Sequence, residues 1–530
     1  PREIALEASG EAWRRRLTKD LSDAPETLAL IENYDDDTLA NLMTELGGHC
    51  LVTLLEAFEK AAASETPKLI IAYTTKGRRL PFQGHKDNHS GLMTVSQMSD
   101  LRDRLKIKPG HEWDKLAGLS KKRASTAKRV LEAAPWQAAE KVERTPPSVT
   151  VPKFTEMPDP GRGKMSTQVA FGKIMNDLAR EESDFVSRIV TTSPDVTVST
   201  NLGGFVNRKG LFSRSASEDV FRKRKIASPQ IWAHSPKGQH IELGIAENNL
   251  FLMLAALGLS KELFDQRIFP VGTVYDPFIA RGLDALNYAC YQDARFILAA
   301  TPSGVTLGPE GGAHQSISSP LIGMGQPGLT YWEPAYADEV RVILRDGFDA
   351  IERTNGSSSY LRLSTRAIDQ VDRDMTDELA ANVLNGAYWA HPPEGDASLA
   401  LVYCGALAPE AQAAFDLIRE DIPEAGLLAV TSPDILHRDW MAASRAPWTA
   451  ETHGASPIED LLAPLSPKAG LVTLIDGSPS TLSWLGSVRG HRVRALGMER
   501  FGQTGDLPDL YQAYRLNPDA ILDAVARLFG

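Results

Sequence analysis

The chain has 530 residues, of which 42% are hydrophobic and 24% charged, with a net charge of −11. That length exceeds one compact domain and predicts roughly two to four. The acidic balance argues against a nucleic-acid partner, and no apolar run is long enough to cross a membrane.

The N-terminus has no signal-peptide pattern, so a cytoplasmic location is expected. The three cysteines, Cys50, Cys290 and Cys404, lie far apart. They form neither a disulfide framework nor a metal-ligand spacing and read as buried packing residues.

Residues 1 to about 45 read as helical, with Trp13, Leu17 and Leu21 on a partial apolar face. Leu46-Gly-Gly-His-Cys50 leads into a helix from Leu51 to Ala63, with Leu54, Leu55 and Phe58 on one side. Lys68 to Tyr73 reads as a strand. It runs into a loop in which His85 and His89 stand among glycine, asparagine, aspartate and serine. That composition suits a solvated connection. It also suits a mobile catalytic loop, because histidine titrates near neutral pH. The spacing of His85 and His89 is that of a metal pair on a helix, but the loop composition opposes a helix and no third ligand follows, so no metal site is assigned. Residues 99–135 read as helical and basic, a solvated face. Prolines 146, 147, 152, 158 and 160 predict a linker. The expected divisions are 1–140, a linker at 141–165, 166–370 and 385–530.

Ser166 reads as a helix cap. Val196 to Thr200 reads as a strand ending in Ser199-Thr-Asn-Leu-Gly-Gly204, and Arg222-Lys-Arg-Lys225 as a surface loop. His240-Ile-Glu-Leu-Gly-Ile-Ala-Glu-Asn-Asn249 then places Glu247 where a glycine turn enters the apolar segment Leu250 to Leu259. A carboxylate directed toward a core is costly unless something answers it. A cap or an arginine partner would suffice. The strand Arg267 to Thr273 leads to Tyr275-Asp-Pro-Phe-Ile-Ala-Arg281. The strand Arg295 to Thr301 leads to Gly308-Pro-Glu-Gly-Gly-Ala-His-Gln315. Carboxylate, aromatic and glycine-rich histidine loop, each past a strand, form the layout of a site on an α/β sheet. Alternation continues through Tyr360 and again from Ser398 to Leu496, so the fold class is α/β with doubly wound parallel sheets.

Taken together and in order, these motifs resemble the transketolase superfamily of thiamine diphosphate enzymes. The Gly-Gly-His element and the Glu333-Pro-Ala-Tyr-Ala-Asp-Glu run narrow the resemblance to the homodimeric type of pyruvate dehydrogenase decarboxylating component, over its larger C-terminal part. It implies a thiamine diphosphate-binding fold followed by a transketolase C-terminal-like domain, which is given no catalytic residue. By the resemblance, Glu247 contacts the aminopyrimidine and is catalytic, Phe278 and Tyr275 offer ring contacts, and Arg281 is counted with these cofactor-binding residues, while its own position reads as a structural pair with a carboxylate. His314 and His89 are the candidate catalytic histidines, which would donate a proton or bind the substrate carboxylate. His85, a weaker carry-over, and Ser199, which stands where bacterial homodimeric enzymes carry an acidic pair, join them as substrate-binding residues. The implied substrate is a 2-oxo acid, pyruvate first, with acyl transfer to a lipoyl-bearing acyltransferase. The implied cofactors are thiamine diphosphate and Mg²⁺.

The family's Gly-Asp-Gly element is not found. Asp346-Gly347 falls inside a helix, and Asp476-Gly477 lacks the partner spacing. The element is therefore expected on a separate chain, making a two-subunit enzyme, or elsewhere in a longer enzyme of which this is a fragment. Separately, the resemblance implies an oligomer, because the family's dimer places the site between the pyrimidine and diphosphate domains. The alternatives are a ketol-transferring transketolase or deoxyxylulose-phosphate synthase, and a non-catalytic scaffold subunit of the same fold.

Overall fold

The computed structural model describes residues 10–44, 47–83, 86–134, 148–216, 223–445 and 456–530. The chain divides into two compact units, Pro1–Glu143 and Arg144–Gly530.

The first unit is built of helices, among them Gly10–Asp20, Leu51–Ala62 and Lys121–Glu132. Among its described residues the only buried apolar side chains are Ala12, Leu39 and Ala134. Leu51, Val52, Leu55 and Phe58 are all exposed on their helix. The expected strand over Lys68 to Tyr73 has no regular secondary structure and joins no sheet. Its apolar residues Leu69, Ile71 and Tyr73 are exposed by 87%, 73% and 67%. The reason is physical: a strand needs a neighbour to take its N–H and C=O groups, and no other strand occurs among this unit's described residues. Cys50 also departs from expectation. It is half-buried just before the helix Leu51–Ala62, and hydrogen bonding with Thr53 lowers its thiol pKa. The other two cysteines are buried, and burial pushes Cys290 up to about 12.

The second unit holds two sheets. The first comprises β1 (Ile189–Ser193), β2 (Leu211–Phe212), β3 (His234–Ser235), β4 (His240–Glu242), β5 (Phe269–Val274), β6 (Ile297–Ala300), β7 (Leu329–Trp332) and β8 (Ser358–Arg362), in the order β3-β2-β4-β1-β5-β6-β8-β7. Every pairing in it is parallel. The second comprises β9 (Ala387–His391), β10 (Ala397–Cys404), β11 (Gly426–Val430), β12 (Leu465–Ile475) and β13 (Arg492–Leu496), in the order β13-β12-β10-β11-β9, with β9 antiparallel to β11. Strands β5 to β8 are buried at every residue. This explains why they read as continuous apolar runs rather than as alternating ones. Ser166 caps the helix Thr167–Leu178 by accepting from Val169 N, as its sequence predicts. Phe185, Phe269 and Phe348 meet edge to face at 5.0 to 6.0 Å, each pair contributing about 0.5–1.5 kcal/mol beyond its burial. One apolar cluster runs from Phe171 and Phe348 through Trp332 to Leu401 and Phe415, so the two sheets share a core.

Two expectations fail in this unit. Val196 to Thr200 is a turn, and the strand is β1 just before it. Pro194 follows β1, and the Ser199 and Thr200 hydroxyls both donate to Val196 O, at 3.1 and 2.8 Å. Short hydroxyl side chains bonding to their own backbone favour turns over ladders. The proline-rich stretch is not a free linker from residue 148 onward. Val149, Val151 and Met157 are buried in the core, while Arg345 and Arg341 donate to Pro152 O and Met157 O. Proline restricts the backbone without making it solvated. Residues 141–147 and Arg222 lie outside the described residues, while Lys223, Arg224 and Lys225 are exposed as expected.

Candidate active site

The candidate site lies where β4, β5 and β6 of the parallel sheet end, the position at which open α/β sheets bind ligands. After β4, Gly244 takes a left-handed conformation (φ +67°) and turns the chain into the helix Glu247–Gly258. Leu250, Phe251 and Leu254 bury one face of that helix. Glu247 is its first residue, where the N-terminal dipole favours a carboxylate, and is only 8% exposed. After β5, the 3-10 helix Asp276–Gly282 lies directly on that helix. Gly282 permits the approach, since a methyl group there would stand 2.3 Å from the Phe251 ring.

This packing brings Arg281 and Phe278 to Glu247. Arg281 Nη1 donates to Glu247 Oε1 at 2.5 Å, and the guanidinium carbon lies 3.6 Å from the Phe278 ring centroid. Tyr275 stacks beside Phe278 at 5.8 Å and 27°. His314, at the end of the 3-10 turn Gly312–His314 past β6, closes the group at 5.4 Å from Phe278 and 6.1 Å from Tyr275. Its Nδ1 is buried and has no hydrogen-bond partner among the described residues. Its Nε2 lies 3.7 Å from Glu310. The structure thus gathers five of the expected site residues into one cluster.

Residues 154–364 match the family described as pyruvate dehydrogenase E1 component middle domain. The chain is 24% identical to the pyruvate dehydrogenase E1 component of Pseudomonas aeruginosa over 451 residues, which is 82% of this chain and 50% of that protein. It is also 24% identical to transketolase 2 of Xanthobacter flavus over 518 residues, 94% of this chain and 69% of that protein. Transketolase structures from Campylobacter jejuni and Leishmania mexicana superpose with TM-scores of 0.64 and 0.65 at 16% and 17% identity. They cover 90% and 91% of this chain, and 66% and 65% of theirs. Residues 154–364 thus resemble the middle domain of pyruvate dehydrogenase E1 components, and the chain as a whole has a transketolase-like fold. It spans about half the length of the curated pyruvate dehydrogenase relatives first matched.

The chain carries a second charged cluster next to the first, which sequence reasoning missed. Asp276, between Tyr275 and Phe278, is fully buried. Its carboxylate accepts from Arg362 Nε at 2.8 Å, Ser319 Oγ at 2.6 Å, Ser316 Oγ and Tyr360 OH. Arg362 also donates to Glu333 Oε1 at 2.6 Å and to the Asp476 carbonyl at 2.7 Å. Burial pushes Glu333 up to about 7 and Asp476 up to about 6, with Arg362 opposing both shifts. The available signal was Asp276 itself, a charged residue flanked by two site aromatics and backed by a charged residue in the apolar strand Tyr360-Leu-Arg-Leu.

The remaining expected residues stand apart from the five. Ser199 is exposed in the turn after β1. Its carbonyl accepts from Gln168 Nε2 at 2.8 Å, and Gln168 Oε1 accepts from Thr301 Oγ1 at the end of β6. No hydrogen bond or ion pair joins Ser199 to the Glu247 cluster among the described residues. His89 belongs to the first unit, with Lys76 Nζ 2.6 Å from its Nδ1. His49 in the same unit accepts from Thr75 N at 2.7 Å. His85 lies outside the described residues. Among the described residues no three His, Cys, Asp or Glu side chains are grouped to hold a metal, and no helix is long and apolar enough to cross a membrane.

Proposed function

We propose that this chain supplies the pyrimidine-binding half of a thiamine diphosphate site and acts on a 2-oxo acid, pyruvate first. The observation that carries the reading is the group now held between Glu247 and Phe278. The Arg281 guanidinium is planar, donates N–H to the carboxylate and lies over the aromatic face. An aminopyrimidine is also planar and N–H-bearing, so the residues present fit the group they would receive. Arg281 is 51% exposed and can turn outward.

When bound, thiamine diphosphate supplies a carbon nucleophile that adds to the substrate carbonyl and takes up the electron pair left as carbon dioxide departs. Glu247 would accept a ring N–H in a nearly dry setting, and so fix the ring's orientation and its proton distribution. Phe278 and Tyr275 give the ring an apolar bed. His314 faces the same bed with an unpartnered Nδ1, and is placed to give a proton to the substrate oxygen or to bind its carboxylate. His89, His85 and Ser199 enter the proposal as substrate residues on their sequence resemblance.

The proposal extends to transfer of the acyl group to a lipoyl-bearing acyltransferase, with Mg²⁺ and the diphosphate held mainly by a segment on a separate chain or elsewhere in a longer one. Association is supported by an apolar face beside the site. Leu252 on Glu247–Gly258, Ile245 before it, and Tyr288 and Tyr291 on the neighbouring helix Leu283–Tyr291 are all exposed. Exposed apolar side chains on two packed helices are the composition of a contact region. Ketol transfer is the second reading, favoured by the X. flavus transketolase alignment over 94% of this chain.

Calorimetric titration of thiamine diphosphate with Mg²⁺ tests the proposal, into the chain alone and then with a polypeptide carrying the Gly-Asp-Gly element. The expected result is binding that appears or tightens in the mixture and weakens about 100-fold or more in Glu247→Ala, about 2.7 kcal/mol. Absence of binding in both preparations would leave a non-catalytic scaffold.

A further inference from the structure

The second sheet touches the site through the glycine-rich loop. The loop from Gly304 to Ile317 carries His314, and two segments beyond the ends of β12 and β13 grip it. At one end the Asp476 carboxylate accepts from Val305 N at 3.1 Å, and Ser478 N donates to Ile317 O at 2.8 Å. A methyl group on Gly304 would lie 2.1 Å from the Asp476 carboxyl carbon, so the contact leaves no room for a side chain. At the other end, methyl groups on Gly308 and Gly312 would lie 2.5 Å from Gly505 O and 2.4 Å from Gly502 O. Gly505 N donates to Gly308 O at 3.2 Å, and Gln315 Nε2 donates to Gln503 O at 3.1 Å. The gripping segments are themselves anchored: Tyr511 OH donates to Asp476 Oδ2 and Tyr514 OH to Phe501 O. Backbone against backbone at this range sets position far more tightly than a side-chain contact.

We propose that Asp476–Ser478 and Phe501–Gly505 are positioning elements of the active site, so that the second sheet sets where His314 stands. This rests on the reading of His314 as a substrate-facing group. The stretch Glu499-Arg-Phe-Gly-Gln-Thr-Gly505 thereby gains a role besides packing.

The test is amide hydrogen exchange of peptides covering residues 304–317 in the full chain. It is paired with pyruvate turnover in the assembly reconstituted with thiamine diphosphate and Mg²⁺. Asp476→Ala is expected to speed exchange in that loop at least about tenfold. It should lower kcat by about tenfold to 100-fold while KM moves less than about threefold. Asp476→Asn keeps an acceptor for Val305 N and is expected to restore both. Val402→Ala, in a separate apolar cluster of the same sheet, is expected to lower the melting temperature and leave loop exchange unchanged. Gly502→Ala displaces the Gln315 side chain and gives the same loop readout should Asp476→Ala fail to fold. Wild-type exchange over 304–317 in every variant that folds would overturn the proposal. Equal loosening in Val402→Ala would overturn it too. Absence of pyruvate turnover in the unmodified assembly counts against the pyruvate reading alone, because the exchange measurement needs no cofactor.

Discussion

Two arginines organise two charged clusters only a few residues apart, and they are held in opposite ways. Arg281 pairs with a single carboxylate, Glu247, and has half its surface open to solvent. Arg362 is fully buried and touches Asp276, Glu333 and the Asp476 carbonyl at once. The first arrangement can exchange its occupant, and the second cannot without leaving a charge stranded. The difference shows a division of labour within one stretch of chain. Tyr275 and Phe278 face the exchangeable layer, while Asp276 between them faces the fixed one.

Breaking the fixed layer gives the largest expected effect. Arg362→Met keeps the volume and removes the charge, leaving Asp276 and Glu333 buried without their cation. Removal of one partner of a buried ion pair costs about 3–5 kcal/mol. Denaturant unfolding of the second unit should register a loss of that size, or the variant should fail to fold. A loss below about 1 kcal/mol would show that the clusters do not differ in kind.

The fixed layer should also titrate. Burial raises Glu333 in the folded chain to about 7, above an ordinary glutamate near ~4.3. The folded state therefore binds the proton more tightly than the unfolded state. The stability it contributes is present in full below the unfolded value and is lost as pH rises through about 7. Asp476 and Asp434, both raised to about 6, act in the same direction at slightly lower pH. Stability should fall between pH 5 and pH 8, and Glu333→Gln should flatten the upper part of that fall by roughly 1–3 kcal/mol. Thermal melts of the two proteins across that window measure it. Parallel curves would mean that Glu333 is ionised throughout.

Sequence reasoning found the exchangeable layer and missed the fixed one, for a physical reason. Glu247, Phe278, Arg281 and His314 sit at strand ends and helix starts, where glycine turns and broken apolar runs mark them. The partners of Asp276 come from residues 316, 319, 360 and 362, brought together only by the crossovers of the sheet. The strands of the second unit were legible because buried parallel strands are continuous apolar runs. Lys68 to Tyr73 has the same composition and forms no ladder, because composition states a preference for pairing and cannot supply the neighbour. The proline stretch failed in the opposite sense: its prolines marked a boundary, while Val149, Val151 and Met157 pack the chain from residue 148 onward against the core.

The smallest effect is expected at Arg281, and it sharpens the comparison most. Arg281 is half exposed, and Glu247, though buried, stands at a helix N-terminus that also answers its charge, so Arg281→Ala should cost about 1–2 kcal/mol, less than loss of the buried arginine. Its effect on the proposed ligand should have the opposite sign. The guanidinium now lies over the Phe278 ring and on the Glu247 carboxylate, the two surfaces an aminopyrimidine would need. Taking it away removes a competitor, and thiamine diphosphate should bind about two- to fivefold more tightly, or roughly 0.4–1 kcal/mol, when titrated as for the parent chain. Weaker binding in Arg281→Ala would mean that Arg281 contributes to the ligand site directly, and the arginine would then belong with the groups that hold the cofactor.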